Sequence, residues 1–341
     1  MNKEISAAKR IMLQHINPAF CRPESGRIIV TQNCPLKCKM CTFWHKQHVD
    51  PDLKLVKYWI KELAEFGIKD IDIGGGEPFA REDLSDIVRE VKTYGITCGL
   101  TTSGWLVDKV PFPPIDRCEI SIDGANAQTH DKIRGIKGSW EQAIHAISVA
   151  KKYCKVTQLN FVLQPDNYHE LIDFCKLTKK LSVPQVGLIP VSLKLAAQSS
   201  LSKEMNDFDL PVLEKVITEA LGLGNIANNK EFIRIFLSKL EKGCASQKCF
   251  APYNCILIFT NGDVYPCGNF DVAVGNLSDG GSLKKIYEDY KHWREKISSG
   301  LHERCARCIY PDIITRRTMR SNVVLFFQRT LKKKSLKRPC C

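Results

Sequence analysis

Three cysteines stand close together near the start of the chain, in the run NCPLKCKMCTFW. They are Cys34, Cys38 and Cys41, with the spacing C-x3-C-x2-C. Thiolates are soft ligands that suit zinc and iron–sulfur clusters, and closed structural sites use four protein ligands. Three cysteines therefore indicate either a cubane with one iron left open or a zinc site that His45 or His48 completes. The order of the motifs that follow favours the cubane.

A second group of cysteines lies further along the chain. It consists of Cys249, Cys267, Cys305 and Cys308, the last two as a C-x2-C pair. The residues NGD at 261–263 separate the apolar runs ILIF and VY, which predicts a β-hairpin that brings Cys249 and Cys267 together. Four thiolates make a closed site. The spacing alone leaves open whether that site holds zinc or an auxiliary cluster.

The composition indicates where such chemistry takes place. Sixteen cysteines among 341 residues are unusual, and their clustering points to metal or redox chemistry rather than to disulfides. The N-terminal residues MNKEISAAKR lack the apolar stretch of a signal peptide. The longest late apolar run, at 323–327, is far shorter than the roughly 20 residues that cross a bilayer. We therefore expect a cytoplasmic protein without a transmembrane segment.

The net charge of +13 is unevenly distributed. Residues 313–341 contain nine Lys or Arg and no acid, so the rest of the chain carries only +4. The body of the protein therefore gives no clear indication of a nucleic-acid partner, and the basic residues form a tail.

Short apolar runs alternate with helical patterns along residues 27–190, which is typical of βαβ units and a parallel sheet. The strands are predicted at residues 27–31, 69–73, 97–101, 118–122, 158–162 and 185–189. The helices are predicted at residues 53–66, 83–94, 139–151, 167–180 and 283–297. A capping box of Ser139 and Gln142 is expected to start the third helix.

Several predicted strands carry polar residues on one face, whereas a strand covered on both faces is apolar throughout. Asp72, Glu119 and Asn160 are examples that could meet a substrate or order water. The alternation predicts an α/β fold, a partial (βα)6 TIM-like barrel with a polar inside. In such barrels the chemistry lies at the carboxyl ends of the strands. Those ends carry the three-cysteine run and the motifs GGGEP, TSGW and SIDG.

Together these motifs resemble the radical S-adenosylmethionine (radical SAM) superfamily. The residues that carry the resemblance are Cys34, Cys38 and Cys41, GGEP at 75–78, SIDG at 121–124 and Arg-Gly at 134–135. The resemblance implies a [4Fe-4S] cluster whose open iron takes the amino and carboxylate groups of S-adenosylmethionine, which is then the missing fourth ligand. It also implies reductive cleavage of this cosubstrate to a 5′-deoxyadenosyl radical that abstracts a substrate hydrogen.

The resemblance further implies which residues bind the cosubstrate. The set consists of Met40, Gly75, Gly76, Glu77, Pro78, Ser121, Asp123 and Arg134. The glycines are expected to let the backbone approach the methionyl group, and Glu77 to accept a hydrogen bond from its ammonium. Ser121 and Asp123 are expected to meet the ribose hydroxyls. Arg134 is expected to pair with the methionyl carboxylate, and Met40 to contact the adenine.

The second group of cysteines resembles the cluster-binding extension of SPASM and twitch radical enzymes. This resemblance implies that Cys249, Cys267, Cys305 and Cys308 hold an auxiliary [4Fe-4S] cluster. The full SPASM pattern has further cysteines downstream, whereas this chain has none between Cys308 and Cys340. We therefore expect the shortened form, with a single auxiliary cluster.

The predicted organisation has five parts. They are an N-terminal extension (1–24), a radical SAM core (25–195), a helical linker (196–245), a small SPASM/twitch-like auxiliary-cluster domain containing a β-hairpin (246–315) and a basic tail (316–341). The predicted function is redox modification of a peptide or small-molecule substrate by an oxidoreductase or maturase, with flavodoxin or ferredoxin as the electron donor. The alternative is a non-catalytic iron–sulfur protein that binds S-adenosylmethionine or acts through its basic tail.

Overall fold

The computed structural model describes residues 22–45, 49–190, 207–228, 230–242, 251–268, 270 and 272–298. Its strands are β1 (Ser25–Thr31), β2 (Asp70–Gly75), β3 (Thr97–Thr102), β4 (Arg117–Ser121), β5 (Val156–Leu163), β6 (Gln185–Pro190), β7 (Cys255–Ile258), β8 (Asp263–Tyr265) and β9 (Gly275–Asn276). They form one sheet in the order β6-β5-β4-β3-β2-β1-β7-β8-β9. Strands β1 to β6 are parallel and adjacent in chain order, and the sheet does not close on itself.

The helices of the described ranges alternate with these strands and then continue beyond them. They are α1 (Leu53–Phe66), α2 (Leu84–Thr93), α3 (Ala127–Arg134), α4 (Ser139–Tyr153), α5 (Leu171–Lys180), α6 (Leu210–Gly222), α7 (Lys230–Lys242), α8 (Leu283–Asp289) and α9 (Lys291–Ser298). None of the helices in these ranges is both long and apolar enough to cross a bilayer.

Helix α1 illustrates why the sequence folds in this way. It begins after Asp52, whose side chain accepts a hydrogen bond from the Leu55 N–H, and it ends at Gly67 in the left-handed conformation. Each of its buried residues has another three or four positions away, so they form one apolar stripe. That stripe packs on the apolar face of the sheet, where Ile28, Ile71 and their neighbours form the largest core of the described residues.

The predicted fold class is confirmed, as an α/β fold with an open barrel. All six predicted strands are present, with bounds that differ from the prediction by at most two residues. Helix α1 has the predicted bounds, and α2, α4 and α5 overlap their predicted ranges, although α5 begins four residues late, at Leu171. Helices α6 and α7 lie within the predicted linker, whereas residues 1–21 and the basic tail lie outside the described residues.

Two local predictions are wrong, and one helix was missed. Helix α3 was not predicted, because the residues AQTHDKIR are mostly polar and give no apolar stripe. The capping box at Ser139 does not form, since α4 is preceded by Gly138 and receives its cap from Asp131. The Asp131 carboxylate accepts hydrogen bonds from Gly138 N (2.7 Å), Ser139 Oγ (2.8 Å) and Trp140 N (2.8 Å). The helix predicted at 283–297 is divided into α8 and α9, which Tyr290 separates.

The predicted hairpin is present, and its position adds to the prediction. Strands β7 and β8 are antiparallel, and the turn between them contains Gly262 in the left-handed conformation. Strand β7 also pairs in parallel with β1, from Ser25 opposite Cys255 to Ile28 opposite Ile258. The hairpin therefore extends the barrel sheet instead of standing apart from it.

The polar face of the sheet carries a charged layer near the beginning of the strands. We use this name for Arg27, Asp70, Asp72, Arg117, Glu119 and Asn160. Arg117 is at its centre, with its guanidinium hydrogen-bonded to Asp72 and to Glu119 (3.2 Å) and 3.5 Å from Asp70. Asn160 donates to the other oxygen of Glu119 at 2.8 Å. The polar residues predicted to line the barrel therefore bind one another.

Small residues make room for this layer. A methyl group added to Gly99, on β3 between Asp72 and Arg117, would lie 2.2 Å from the Asp72 carboxylate and 2.6 Å from the guanidinium. Gly187 on β6 makes room for Asn160 in the same way, because a methyl group on Gly187 would lie 2.7 Å from the side-chain oxygen of Asn160. The glycines on two strands thus let longer side chains from their neighbours cross the barrel interior.

Candidate active site

The three-cysteine loop follows β1 directly and is fixed to the end of helix α3. The Lys37 N–H donates to the Arg134 carbonyl at 3.1 Å, and the Lys39 N–H donates to the Ile133 carbonyl at 3.0 Å. Gly135 permits this contact, since a methyl group there would lie 2.4 Å from the Lys37 carbonyl oxygen. The end of helix α3, with the Arg-Gly pair that the sequence singled out and Ile133 before it, therefore anchors the backbone on both sides of Cys38.

The loop is also held against the GGEP turn after β2. The Gly76 N–H donates to the Thr31 carbonyl at 2.8 Å, and the Glu77 N–H to the Asn33 carbonyl at 2.9 Å. A methyl group on Gly75 would lie 2.0 Å from the Thr31 carbonyl oxygen, and one on Gly76 would lie 2.2 Å from that of Asn33. These glycines are needed because one backbone segment approaches another closely here. The sequence had predicted a different reason, the approach of the backbone to a ligand.

The Glu77 carboxylate is fully buried and already has protein partners. It accepts hydrogen bonds from Thr102 Oγ1 (2.7 Å), the Ser103 N–H (2.9 Å) and the Phe79 N–H (3.2 Å), and from the Ser103 hydroxyl. The TSGW motif after β3 therefore serves to hold Glu77. For Glu77 to accept a further hydrogen bond from a ligand ammonium, as predicted, its carboxylate must have a lone pair that these four donors do not use.

Asp123 and Arg134 form a buried ion pair beside the loop. Asp123 has no exposed surface, and its Oδ2 lies 2.6 Å from Nη2 of Arg134, which is 7% exposed. Burial raises the pKa of Asp123, and the positive charge of Arg134 opposes that rise. The sequence interpretation gave these two side chains separate ligand groups, a ribose and a carboxylate. The structure pairs them with each other, because a buried charge is stable only when it has a partner. Their contacts with the cosubstrate stay a prediction.

Two residues that hold Asp123 were missed by the sequence analysis. His130 Nδ1 accepts a hydrogen bond from the Asp123 N–H at 3.1 Å, and the Asn167 side chain donates to the Asp123 carbonyl at 3.0 Å. Burial, followed by the charge of Arg134, lowers the pKa of His130 to about 3, so the imidazole is neutral. The sequence signal for His130 is its position four residues before Arg134, in the segment HDKIRG that contains the Arg-Gly pair.

The remaining predicted cofactor residues lie around the same strand ends. Met40 is buried in a small apolar cluster with Leu36, Cys38 and Ile133. Pro78 is the first residue of a short 3-10 helix, Pro78–Ala80, that Glu77 caps. Ser121 ends β4 and lies opposite Asn160 of β5.

The chemistry of the three thiols fits an iron–sulfur cluster. Burial raises the pKa of the Cys34 thiol to about 12 and also raises the pKa of Cys38 and Cys41. The thiols are close enough to influence one another, and such buried sulfurs become thiolates when a metal supplies positive charge. Within the described ranges, no three His, Cys, Asp or Glu side chains converge on one metal ion. A cubane does not need such convergence, because each of its thiolates binds a different iron.

Unpartnered polar groups at the same end of the sheet fit a bound polar ligand. Both side-chain polar atoms of Gln164, just after β5, are buried and have no hydrogen-bond partner among the described residues, and the same holds for Nε of Arg134. Native proteins leave few buried polar groups unsatisfied, and a ligand is one explanation for those that remain. A cleft of about 420 Å³ also reaches Cys34, with Asn33, Trp44 and His45 among its lining residues.

Only one member of the second cysteine group lies within the described residues. Cys267 is buried beside Ala251, Phe270 and Ile297, just after the β7–β8 hairpin. Cys249, Cys305 and Cys308 lie outside the described residues, so their convergence with Cys267 stays a prediction.

Comparison with known proteins identifies the family. The model of the radical SAM superfamily matches residues 28–178, and that of the SPASM iron–sulfur cluster-binding domain matches residues 249–309. The protein named AdoMet-dependent heme synthase from Oleidesulfovibrio alaskensis is 24% identical over 311 residues, which cover 83% of this chain and 79% of that protein. The protein named "Probable GTP 3′,8-cyclase" from Saccharolobus solfataricus is 32% identical over 229 residues, which cover 62% of this chain and 70% of that protein.

A solved structure has the same fold. The chain aligns with Streptococcus suis SuiB bound to its precursor peptide SuiA with a TM-score of 0.63 and 16% identity, covering 90% of this chain and 76% of that chain. The chain belongs to the radical SAM superfamily and carries a SPASM domain. Its cofactors are accordingly a [4Fe-4S] cluster and S-adenosylmethionine, together with auxiliary iron–sulfur binding in the SPASM domain.

Proposed function

We propose that this protein oxidises or otherwise redox-modifies a peptide or small-molecule substrate by radical chemistry. The observation that carries the proposal is the loop of three thiols, with Cys38 buried and the other two half-buried, fixed by backbone contacts to GGEP on one side and to the end of helix α3 on the other. When bound, the cluster and S-adenosylmethionine supply a one-electron cleavage that gives a radical able to abstract a hydrogen atom. The protein contributes the position of that cofactor and the exclusion of water around it.

In this proposal, Cys34, Cys38 and Cys41 are the cluster ligands. Gly75, Gly76, Glu77 and Pro78 form the turn that faces the methionyl group of the cosubstrate. Ser121 supplies a hydroxyl near the ribose, and Met40 an apolar surface for the adenine. Asp123 and Arg134 support the site through their buried ion pair, which reaches the loop at the sulfur of Cys38.

The auxiliary centre is proposed to accept an electron from the substrate radical. Its proposed ligands are Cys249, Cys267, Cys305 and Cys308, and we propose a single cluster because the chain has no further cysteine before Cys340. Four thiolates leave no open iron, so this centre is suited to electron transfer rather than to binding the cosubstrate. We propose the domain bounds 25–195 for the core and 246–315 for the auxiliary domain. The family-model matches at 28–178 and 249–309 lie inside these bounds and support the division.

The relatives support both substrate classes. SuiB is a structure with a bound precursor peptide, whereas the names heme synthase and GTP cyclase refer to small molecules. For this chain we propose a peptide or a small molecule as substrate and flavodoxin or ferredoxin as the electron donor. We also propose a cytoplasmic location, because thiol-bound clusters suit a reducing compartment.

The first experiment measures 5′-deoxyadenosine after anaerobic reconstitution with iron and sulfide. Protein incubated with dithionite and S-adenosylmethionine is expected to form it, and to contain about eight iron and eight sulfide per chain if both centres are cubanes. Cys154→Ala, a half-buried cysteine outside both groups, is the matched control for Cys38→Ala. A protein with full cluster content that forms no 5′-deoxyadenosine would contradict the proposed activity.

The second experiment tests the auxiliary centre. The double variant Cys305→Ala, Cys308→Ala is expected to cleave S-adenosylmethionine slowly without forming the oxidised product, once circular dichroism shows that it is folded. A folded double variant that forms the oxidised product at the normal rate would mean that the second centre has a structural role. A stoichiometric zinc ion with only about four iron per chain would replace the auxiliary cluster with a zinc site.

A further inference from the structure

Arg134 makes a contact with the cysteine loop that its expected role in ligand binding does not explain. Its Nη1 lies 3.8 Å from the sulfur of Cys38, within hydrogen-bonding distance for a sulfur acceptor. The same guanidinium is paired with Asp123 through Nη2. The side chain is therefore placed between a carboxylate on one side and the predicted middle ligand of the cluster on the other.

The protein fixes this guanidinium from several directions. The Arg134 carbonyl accepts the hydrogen bond from the Lys37 N–H, so the backbone of the arginine and that of the loop cannot move independently. Asp123 is in turn held by the Val162 N–H, which donates to its Oδ1 at 2.8 Å, and by His130, which accepts from its N–H. Such a supported arrangement keeps the distance between the positive charge and the sulfur constant.

The surroundings make the charge effective. Arg134 and Asp123 are almost or fully buried, and the sulfur lies in an apolar cluster with Leu36 and Ile133. Electrostatic interactions are stronger in such a low-dielectric region than in water. Hydrogen bonds to the cluster sulfurs and the local net charge are two of the factors that set the reduction potential of an iron–sulfur cluster.

We propose that Arg134 is a positioning residue that raises the reduction potential of the cluster through Cys38, and that Asp123 limits the size of this effect. The inference rests on the proposed role of Cys38 as a cluster ligand. Addition of one electron makes the cluster more negative, so a nearby positive charge and an N–H···S hydrogen bond stabilise the reduced form. The negative charge of Asp123 acts in the opposite direction from a greater distance.

The test is a redox titration of the reconstituted protein without S-adenosylmethionine. The EPR signal of the reduced cluster measures the reduced fraction at each potential. The proposal predicts an order of potentials, with Asp123→Asn highest, then wild type, then the double variant Asp123→Asn, Arg134→Gln. Arg134→Gln alone falls at or below the double variant. We expect the wild type and the double variant to differ about tenfold in the ratio of reduced to oxidised cluster at a fixed potential, which is about 59 mV for one electron.

The double variant protects the test against unfolding, because it removes both charges and leaves neither buried without a partner. Arg134→Lys keeps the charge without the planar fork, so its potential should lie between those of the wild type and the double variant. Equal potentials in wild type, Arg134→Lys and the double variant, all with full cluster content, would overturn the proposal.

The same variants separate this role from ligand binding. If Arg134 only pairs with the cosubstrate carboxylate, the affinity for S-adenosylmethionine falls in Arg134→Lys while the potential measured without it stays unchanged. If the wild type binds no cluster at all, the proposed function has failed, and the titration has no signal to follow. Failure of the tuning role and failure of the proposed function are therefore distinguishable.

Discussion

The two ends of the barrel's polar face both carry charged side chains, but they hold these charges in different ways. At the carboxyl ends, Glu77 and Asp123 are fully buried, and each is surrounded by donors from its own motif or a neighbouring one. Near the strand beginnings, Arg117 and Asp70 keep 24% and 36% of their side-chain surface exposed, and Arg117 is shared among three carboxylates. The carboxyl ends of the strands thus hold their charges fully buried, whereas the charged layer leaves part of its charged surface exposed.

This difference has a physical consequence for mutations. A buried charge that loses its partner cannot recover the loss from water, so its removal is costly. A half-exposed charge exchanges its lost partner for water, and its removal costs less. The two regions should therefore respond differently to the same kind of substitution, both in stability and in cofactor binding.

The largest effect is expected for Asp123→Asn. This change leaves the guanidinium of Arg134 buried without a carboxylate, so we expect the free energy of unfolding to fall by about 3–5 kcal/mol. Urea unfolding followed by circular dichroism measures the change. The matched control is Asp173→Asn, which removes an exposed pair with Lys176 and should change stability by less than about 0.5 kcal/mol. Equal effects at the two positions would contradict the distinction between the two kinds of charge.

The next effect concerns the glycines of the GGEP turn. Gly76→Ala places a methyl group 2.2 Å from the Asn33 carbonyl oxygen, so the turn and the cysteine loop must separate. We expect a loss of about 1–3 kcal/mol together with reduced iron binding after reconstitution. Gly74→Ala is the control two residues earlier, because a methyl group there meets no atom within 4 Å. Normal iron content in Gly76→Ala would show that this backbone contact is not needed to form the cluster site.

A smaller effect is expected in the charged layer. Arg117→Met removes the shared partner of Asp70, Asp72 and Glu119, and we expect unfolding free energy to fall by about 1–2 kcal/mol. Formation of 5′-deoxyadenosine per loaded cluster should remain near the wild-type rate. Arg89→Met, which removes an exposed pair with Asp86, serves as the control for stability. Loss of 5′-deoxyadenosine formation in folded Arg117→Met would give the layer a direct part in the chemistry.

The smallest effect near neutral pH is a dependence of stability on pH, which grows as the solution becomes more acidic. The folded-state pKa of His130 is about 3, below the value of about 6.5 for an unfolded histidine, so the unfolded chain binds a proton first as pH falls. The contribution of His130 is therefore fully present above pH 6.5 and is lost towards pH 3, by at most about 1.4 kcal/mol per pH unit. In His130→Asn, the slope of unfolding free energy between pH 6.5 and 5 should decrease. If the exposed control His145→Asn decreases this slope by a similar amount, the pH dependence comes from a group other than His130.

Much of the architecture could be predicted because its signals are local. Short apolar runs that alternate with helical patterns identified the six strands, and the order of motifs after them indicated the end of the barrel where the site lies. The spacing of Cys34, Cys38 and Cys41 is itself sufficient to indicate a metal centre. These features depend on neighbours in sequence, where periodicity and spacing are informative.

What could not be predicted depends on pairs that are distant in sequence. Nothing local shows that Asp123 pairs with Arg134, that Arg117 joins carboxylates from β2 and β4, or that β7 pairs with β1. Helix α3 was missed for a related reason, since its buried residues face the cysteine loop and give no apolar stripe. Partner choice across the fold is set by tertiary packing, which a single sequence does not display.

The central claim is that Cys34, Cys38 and Cys41 hold a cluster with an iron open to S-adenosylmethionine. The most direct measurement is the EPR spectrum of the dithionite-reduced protein before and after this cosubstrate is added, in the wild type and in Cys38→Ala. The account predicts a changed spectrum for the wild type, and for folded Cys38→Ala a signal from the auxiliary cluster that the cosubstrate does not alter. A cosubstrate-dependent change that persists in folded Cys38→Ala, together with 5′-deoxyadenosine, would contradict the account.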